Sequence, residues 1–293
     1  MSFAASTGAE QRSMIDVHHL AGRIMVYLLA FTAASVMGFP LVWMLICSFK
    51  PPAELIMSPP TFLPHEWTLA NYRDLFVQTR FMSYFANSLI VASGSTAFSL
   101  VIGGLGAYSV SRFNIRATRL FSRFSLIAYM LPEVLLVIPL YFFLVKAGLA
   151  DTLLALIIAN TAFTLPLTIW FMRAYFAAIP VTLEESAMID GCTRLQALWK
   201  VVVPLAVPGL ISVGVFAFNS AWNDFLFALV FTSSERNKTL PLGLSTWIGQ
   251  DYIYSWGMLL AAAVLITLPV LAFYLLVQRK LIAGLAEGGV KGG

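Results

Sequence analysis

Six long apolar runs, at 24–49, 84–110, 121–145, 152–176, 205–231 and 256–277, set the strictest limit on what this chain can become. Each is about as long as the ~20 residues a helix needs to cross the hydrocarbon of a bilayer. Lipid offers no partner to a free backbone N–H or C=O, so each run is read as a helix. Composition agrees. Charged residues make up 11% and apolar ones 59%, against roughly 25% charged in a water-soluble domain. The expected fold class is an all-α integral membrane protein with six transmembrane helices. Pro40, Pro132, Pro139, Pro166 and Pro269 interrupt the runs, which spans tolerate when neighbouring groups re-satisfy the backbone. The first run is too long for a cleaved signal core. The expected division is therefore a cytoplasmic segment 1–23, a membrane domain 24–277 and a cytoplasmic tail 278–293.

Lysine and arginine give the orientation. With the N-terminus inside, twelve of the eighteen fall on inner segments and six on outer ones, so both termini are expected in the cytoplasm. The same asymmetry accounts for a pI near 9.1 without nucleic acid as a partner. Cys47 and Cys192 then lie on opposite sides and cannot pair, and His18, His19 and His65 have no cysteine companions for a zinc site.

Two outer loops are long. Residues 50–83 hold five prolines and then a plausible helix at 69–78; residues 232–255 end among Trp247, Tyr252 and Tyr254. These aromatics read either as interfacial anchors or as contacts for an external partner. In the second run Ser95, Ser99, Gly103 and Ala107 recur every fourth position, with Gly104 and Gly106 beside them. Such a stripe lets helix backbones approach closely in lipid.

The segment 179–208 has the clearest local grammar. Thr182 with Glu185, and Thr193 with Gln196, have capping-box spacing. Gly191 between them suits a left-handed terminator, and Pro204 and Pro208 discourage continuation of the second helix. Two short helices joined by a glycine elbow are expected. Leu195, Leu198, Trp199 and Val202 form an amphipathic stripe on the second; Leu183, Ala187 and Met188 share a face of the first. The elbow offers a compact knob for a cytoplasmic motor, or alternatively a connector packed on its own spans.

The residue order in this segment, Glu185-Ser186-Ala187, then Asp190-Gly191, then Val201 and Pro204, resembles the EAA…G coupling segment of ABC importer permeases. Ser186 stands where that family commonly has alanine. Ala221-Trp222-Asn223-Asp224-Phe225, Thr239-Leu240-Pro241-Leu242-Gly243 and the tail from Gly284 to Gly292 are similar to the maltose-transporter-type permeases for carbohydrates. The resemblance implies the type I ABC importer permease fold, in the bacterial inner membrane. It also implies a second homologous permease, two copies of an ATP-binding subunit and an extracytoplasmic sugar-binding protein. ATP and Mg would sit on the partner ATPase, and the chain carries no G-x-x-x-x-G-K-[ST] of its own. The resemblance further implies that Glu184, Glu185, Ser186, Ala187, Asp190 and Gly191 form the coupling helix seated in the ATPase. It implies too that Gly288, Gly289, Val290, Lys291 and Gly292 reach that interface, and that the chain is a transport subunit rather than an enzyme.

Polar groups inside the runs need a reason, because an acid at mid-bilayer costs about 2.5–3.5 kcal/mol on insertion scales. Glu133 follows Pro132 some twelve residues into the third run, about 18 Å deep at 1.5 Å per residue. It reads as a cargo contact or as a hydrogen-bonded carboxyl beside a kink. Asn219, Trp222 and Asn223 have the spacing of one helix face, an aromatic plane beside amides that would suit a sugar, or else helix packing and gating. Asp224 points elsewhere. Asn160 is a further candidate, with helix packing its alternative. An ion-coupled secondary transporter would usually show repeats and more buried acids. A membrane enzyme would need a catalytic cluster that the chain lacks. An ABC permease for a non-sugar solute is the third alternative.

Overall fold

A computed structural model describes residues 4–113, 120, 127, 129–249 and 256–289. Among these the regular elements are all helical. In chain order they are α1 (Ala4–Ser48), α2 (Pro52–Leu55), α3 (Ala70–Gln78), α4 (Phe81–Arg112), α5 (Glu133–Lys146), α6 (Leu153–Ala178), α7 (Val181–Ile189) and α8 (Arg194–Ala197). A π turn Leu198–Val202 leads into α9 (Val203–Leu205), followed by α10 (Val207–Trp222), α11 (Leu226–Phe231), a 3₁₀ turn Glu235–Asn237, α12 (Leu240–Gly249) and α13 (Trp256–Gly289). Among the described residues four stretches, Gly22–Ser48, Phe81–Arg112, Leu153–Ala178 and Trp256–Gln278, are long and apolar enough to cross a bilayer; the bent pair Arg194–Leu205 and Val207–Trp222 makes a fifth if taken as one.

Two of the expected runs are not single helices. The third leaves helical geometry at 130–132 and restarts at Glu133. Pro132, extended at ψ 132, has no N–H to donate to the preceding turn. Glu133 therefore sits in the first turn of a new helix rather than in the middle of an old one. Residues 121–126 and 128 of that run lie outside the described residues. The fifth run breaks at 223–225, where the Asp224 carboxylate accepts the Phe227 N–H at 3.1 Å and caps α11. By contrast Pro40, Pro139, Pro166 and Pro269 all lie inside continuous helices.

Contacts divide the chain into two compact units, Met1–Arg73 with Ser255–Val264, and Asp74–Tyr254 with Leu265–Gly293. In the second, α4, α6 and α10 form the centre. The small-residue stripe of α4 faces α6 as its spacing predicts. Ser99 Oγ meets Thr164 Oγ1 at 2.7 Å, Ser95 Oγ donates to the Ile157 carbonyl, and a Cβ placed on Gly103 would stand 2.4 Å from Thr168 Cγ2. Lipid is as apolar as a leucine face, so close approach and hydrogen bonds hold such a pair together. Gly209 of α10 lies as tightly on the Tyr175 ring of α6.

In the first unit, Asn71 of α3, which begins one residue after the expected helix start at 69, donates to the carbonyls of Ser48 and Lys50, both at 2.8 Å. Lys50 is buried, with its ammonium bonded to Thr61 and over the Trp43 ring. Glu54 accepts from Thr61 and from the His65 N–H, and the Thr61 bond is the main cause that lowers its pKa. A buried lysine and a carboxylate thus tie the proline-rich loop down, beside ring contacts of Phe62 with Trp43 and of Trp67 with Phe49.

Asp151, with φ at 54°, joins the α5–α6 turn to the segment after α11. Its carboxylate accepts the N–H groups of Ser233 and Ser234 at 3.0 Å, and its own N–H donates to the Phe231 carbonyl. Burial opposes the charge, but hydrogen bonds from Ser234, Ser233 and Asn237 outweigh it and hold the pKa down to about 2. A depressed carboxyl stabilises fully above its unfolded pKa, ~3.9, and loses that contribution as pH falls through its folded value. Asp151→Ala is therefore expected to cost roughly 1–2 kcal/mol near neutrality after solvent screening. The gap in melting temperature from wild type should narrow between about pH 4 and 2, leaving the pH-independent cost of alanine at φ 54°; a constant gap would mean the tie does not rest on charge.

Candidate functional site

The elbow forms as its residues dictate. α7 ends with the Gly191 N–H on the Met188 carbonyl and the Cys192 N–H on the Ala187 carbonyl, at 3.1 and 3.0 Å. This Schellman pairing needs a left-handed residue at its corner, and Gly191 supplies it with φ at 90°. The next helix starts on a complete capping box. Thr193 Oγ1 accepts the Gln196 N–H, and Gln196 Oε1 accepts the Thr193 N–H. The expected box of Thr182 with Glu185 does not form. α7 begins two residues earlier than that spacing requires, on Pro180, which makes no side-chain cap, and Thr182 lies inside the helix. Pro204 does not end the second helix either. The chain passes it through the π turn and α9, then bends by 78° near Ala206 into α10. The wider π register falls immediately before Pro204, whose missing N–H spoils the α register there.

The predicted coupling residues divide by burial. Glu185, Ser186, Asp190 and Gly191 are exposed, Ala187 is half-buried, and Glu184 is only 1% exposed. Leu198 and Val202 join a core with Ala107, Tyr108, Met172 and Phe176, whereas Leu195 and Trp199 face outward. The expected four-residue stripe is thus split, because the π turn changes the angular spacing within it. Ile189, at the tip beside the elbow, is 86% exposed.

A second polar group gathers where α5, α6 and the α10–α11 break converge. Asn160 is buried and donates to the Leu156 carbonyl and to Asp224 Oδ2, at 3.1 and 3.3 Å. Glu133 lies near enough to Asp224 for their charges to interact. Asn223 Nδ2 donates to the Asn219 carbonyl and side-chain oxygens at 2.8 and 3.0 Å, and both amides are exposed. Trp222 does not share their face. It is 2% exposed, stacked on Phe218 and edge-on to Phe85, each with centroids 5.7 Å apart. Asn219 also borders a cavity of about 360 Å³, with Phe218, Thr267 and Tyr274 among its walls. Removing a fully packed indole costs about 3–5 kcal/mol. Trp222→Ala is therefore expected to lower thermal stability by that amount and to leave cargo affinity per folded molecule unchanged. Lost affinity at an unchanged melting temperature would place the ring in the path.

Of the tail residues, Gly288 and Gly289 end α13, while Val290, Lys291 and Gly292 lie outside the described residues. Trp247 is buried against Tyr84, so it is no interfacial anchor; Tyr252 and Tyr254 lie outside the described residues. Sequence reasoning passed over Asp224 as a hub and Arg112 and Tyr108 as partners of Glu184. An acid in an apolar run beside a break is a signal for the first. A partner 72 residues away in sequence leaves none.

The family model for the binding-protein-dependent transport system inner membrane component matches residues 99–285, and the chain belongs to that family. It is 43% identical, over 87% of its length and 91% of the relative's, to the inner membrane ABC transporter permease protein YcjP of Escherichia coli strain K12. It is 37% identical to the trehalose/maltose transport system permease protein MalG of Thermococcus litoralis, covering 92% of this chain and 97% of that one. Its fold matches a chain of a bacterial ABC transporter that imports the acidic polysaccharide alginate. That match has a TM-score of 0.75 and 25% identity, over 89% of this chain and 96% of the other.

Proposed function

We propose that this chain is one permease subunit of an ATP-driven sugar importer, forming half of the translocation path and coupling to a separate ATPase by alternating access. The observation that carries the coupling role is the exposed elbow, in which Gly191 at φ 90° turns a capped pair of helices into a rigid knob tipped by Ile189. The sugar class is supported by the trehalose/maltose and alginate systems to which the chain is similar. The knob, with Glu185, Ser186, Asp190 and Gly191 outward and Ala187 half-buried among them, seats in the ATPase, where ATP and Mg are held. Six spans over 24–277, with both termini and the segment 179–208 in the cytoplasm, complete the reading. The partners are a second, non-identical permease, two ATP-binding subunits and an extracytoplasmic sugar-binding protein, with the tail 288–292 directed at the ATPase.

Within the membrane, Glu133, Asn160, Asn219 and Asn223 provide the polar contacts of the path, and Trp222 supports the helix that carries two of them. The test is purification from the native membrane in mild detergent, with mass spectrometry of what remains bound. Recovery of an ATP-binding subunit and a non-identical permease is the expected result; a chain recovered alone, with uptake that survives ATP depletion, would overturn it. For the path, Glu133→Gln and Asn219→Ala should each weaken transport, and normal uptake in both would remove the proposed contacts.

A further inference from the structure

Glu184 was grouped by sequence with the residues that meet the ATPase, yet its side chain is turned into its own chain. Arg112, the last residue of α4, donates from Nε to Glu184 Oε1 at 2.5 Å, and its side chain is 4% exposed against 1% for Glu184. Tyr108 Oη donates to the other carboxylate oxygen at 2.8 Å, so both oxygens are occupied. Arg112 Nη2 also donates to the Ile179 carbonyl at 3.0 Å, at the junction between α6 and α7. A second arm comes from α8, where the Arg194 guanidinium lies 5.3 Å from the Phe113 ring centre. Both short helices of the elbow are therefore fastened to the same end of α4, one on each side of Gly191.

We propose that Arg112 and Glu184 are positioning residues that make α4 the lever of the transporter. Displacement of the elbow is delivered into the membrane through their buried ion pair, in addition to the covalent connections to α6 and α10. This rests on the coupling role proposed above. The geometry suits a lever. Guanidinium and carboxylate meet in a fixed orientation out of water, and a charge-assisted bond of this kind resists being pulled or turned. α4 in turn lies against α6 along its small-residue stripe and against α10, so its motion reaches the polar groups of the path. Glu185, one residue on, is exposed and free to meet another subunit.

The test uses the assembled transporter, with Cys47 and Cys192 replaced by alanine and a reporter, Ser83→Cys, at the exposed end of α4 opposite Arg112. Its reaction rate with a maleimide is read without nucleotide and after trapping with ATP and vanadate. With the native pair, trapping should change the rate several-fold. In the double variant Arg112→Met with Glu184→Leu, which strands no buried charge, nucleotide should still be trapped but the rate should no longer respond. Should the double variant assemble poorly, Glu184→Gln serves the same comparison, with a smaller response expected than with the native pair. A response of native size in whichever variant assembles would overturn the lever, as would no response with the native pair. If wild-type chain binds no ATPase subunit at all, the coupling role itself fails, which the first comparison keeps separate.

Discussion

Gly191→Asp is expected to abolish transport while the chain still inserts and folds. A Cβ at this position meets nothing within 4 Å, so the chain itself has room for a side chain. Two costs remain. At φ 90° an L residue is strained, at roughly 1–2 kcal/mol, although aspartate tolerates left-handed geometry better than most. The larger cost falls at the partner, where a carboxylate at the tip of the knob would be dried without a counter-charge. An uncompensated buried charge costs about 3–5 kcal/mol, roughly a hundredfold or more in docked population. Uptake should fall to background, with ATPase subunits lost on purification and near-normal amounts of chain in the membrane. Normal uptake by this variant would show that the elbow is not the coupling element.

Gly103→Leu should be the most damaging single change to the fold itself. The stripe of α4 brings its backbone so close to α6 that even a Cβ on Gly103 stands 2.4 Å from Thr168 Cγ2 and 3.4 Å from Leu165 Cδ2. Three further carbons cannot enter without parting the helices, and overpacking of this kind costs about 3 kcal/mol or more. Separation would also break the Ser99–Thr164 contact. A Cβ on Gly104, the next residue, meets nothing within 4 Å. Gly104→Ala should therefore be neutral or slightly stabilising, since alanine is the better helix former by about 1 kcal/mol. Thermal unfolding of the purified chain in detergent reads both. Equal melting temperatures for the two variants would mean that α4 and α6 do not meet through this stripe.

Much of the fold was legible because the signals are local or periodic. Small residues at every fourth position need only a helix to become a packing face, and Ser95, Ser99, Gly103 and Ala107 are all buried. Gly191 and the box of Thr193 with Gln196 were readable for the same reason, as each is settled within a few residues. Where local signals competed, the reading failed. Thr182 has capping-box spacing, but Pro180 sets the helix start ahead of it. Pro132 breaks the third run while Pro139, seven residues on, does not. Apolar spacing does not separate those two cases, because what re-satisfies the freed carbonyls comes from other helices.

By itself, then, the sequence determined the class of protein and the position of its knob. Lipid leaves a long apolar run no alternative to helix, and a Schellman corner leaves its central residue little alternative to glycine. What only the tertiary structure decided is which side chains meet. Glu184 turns inward to Arg112 while Glu185 faces out, Trp222 is withdrawn from Asn219 and Asn223, and Asp224 joins Asn160 at a break. Neighbouring residues on a helix differ by about 100° in direction. The neighbours that choose between those directions lie on helices tens of residues away, and no local pattern records them.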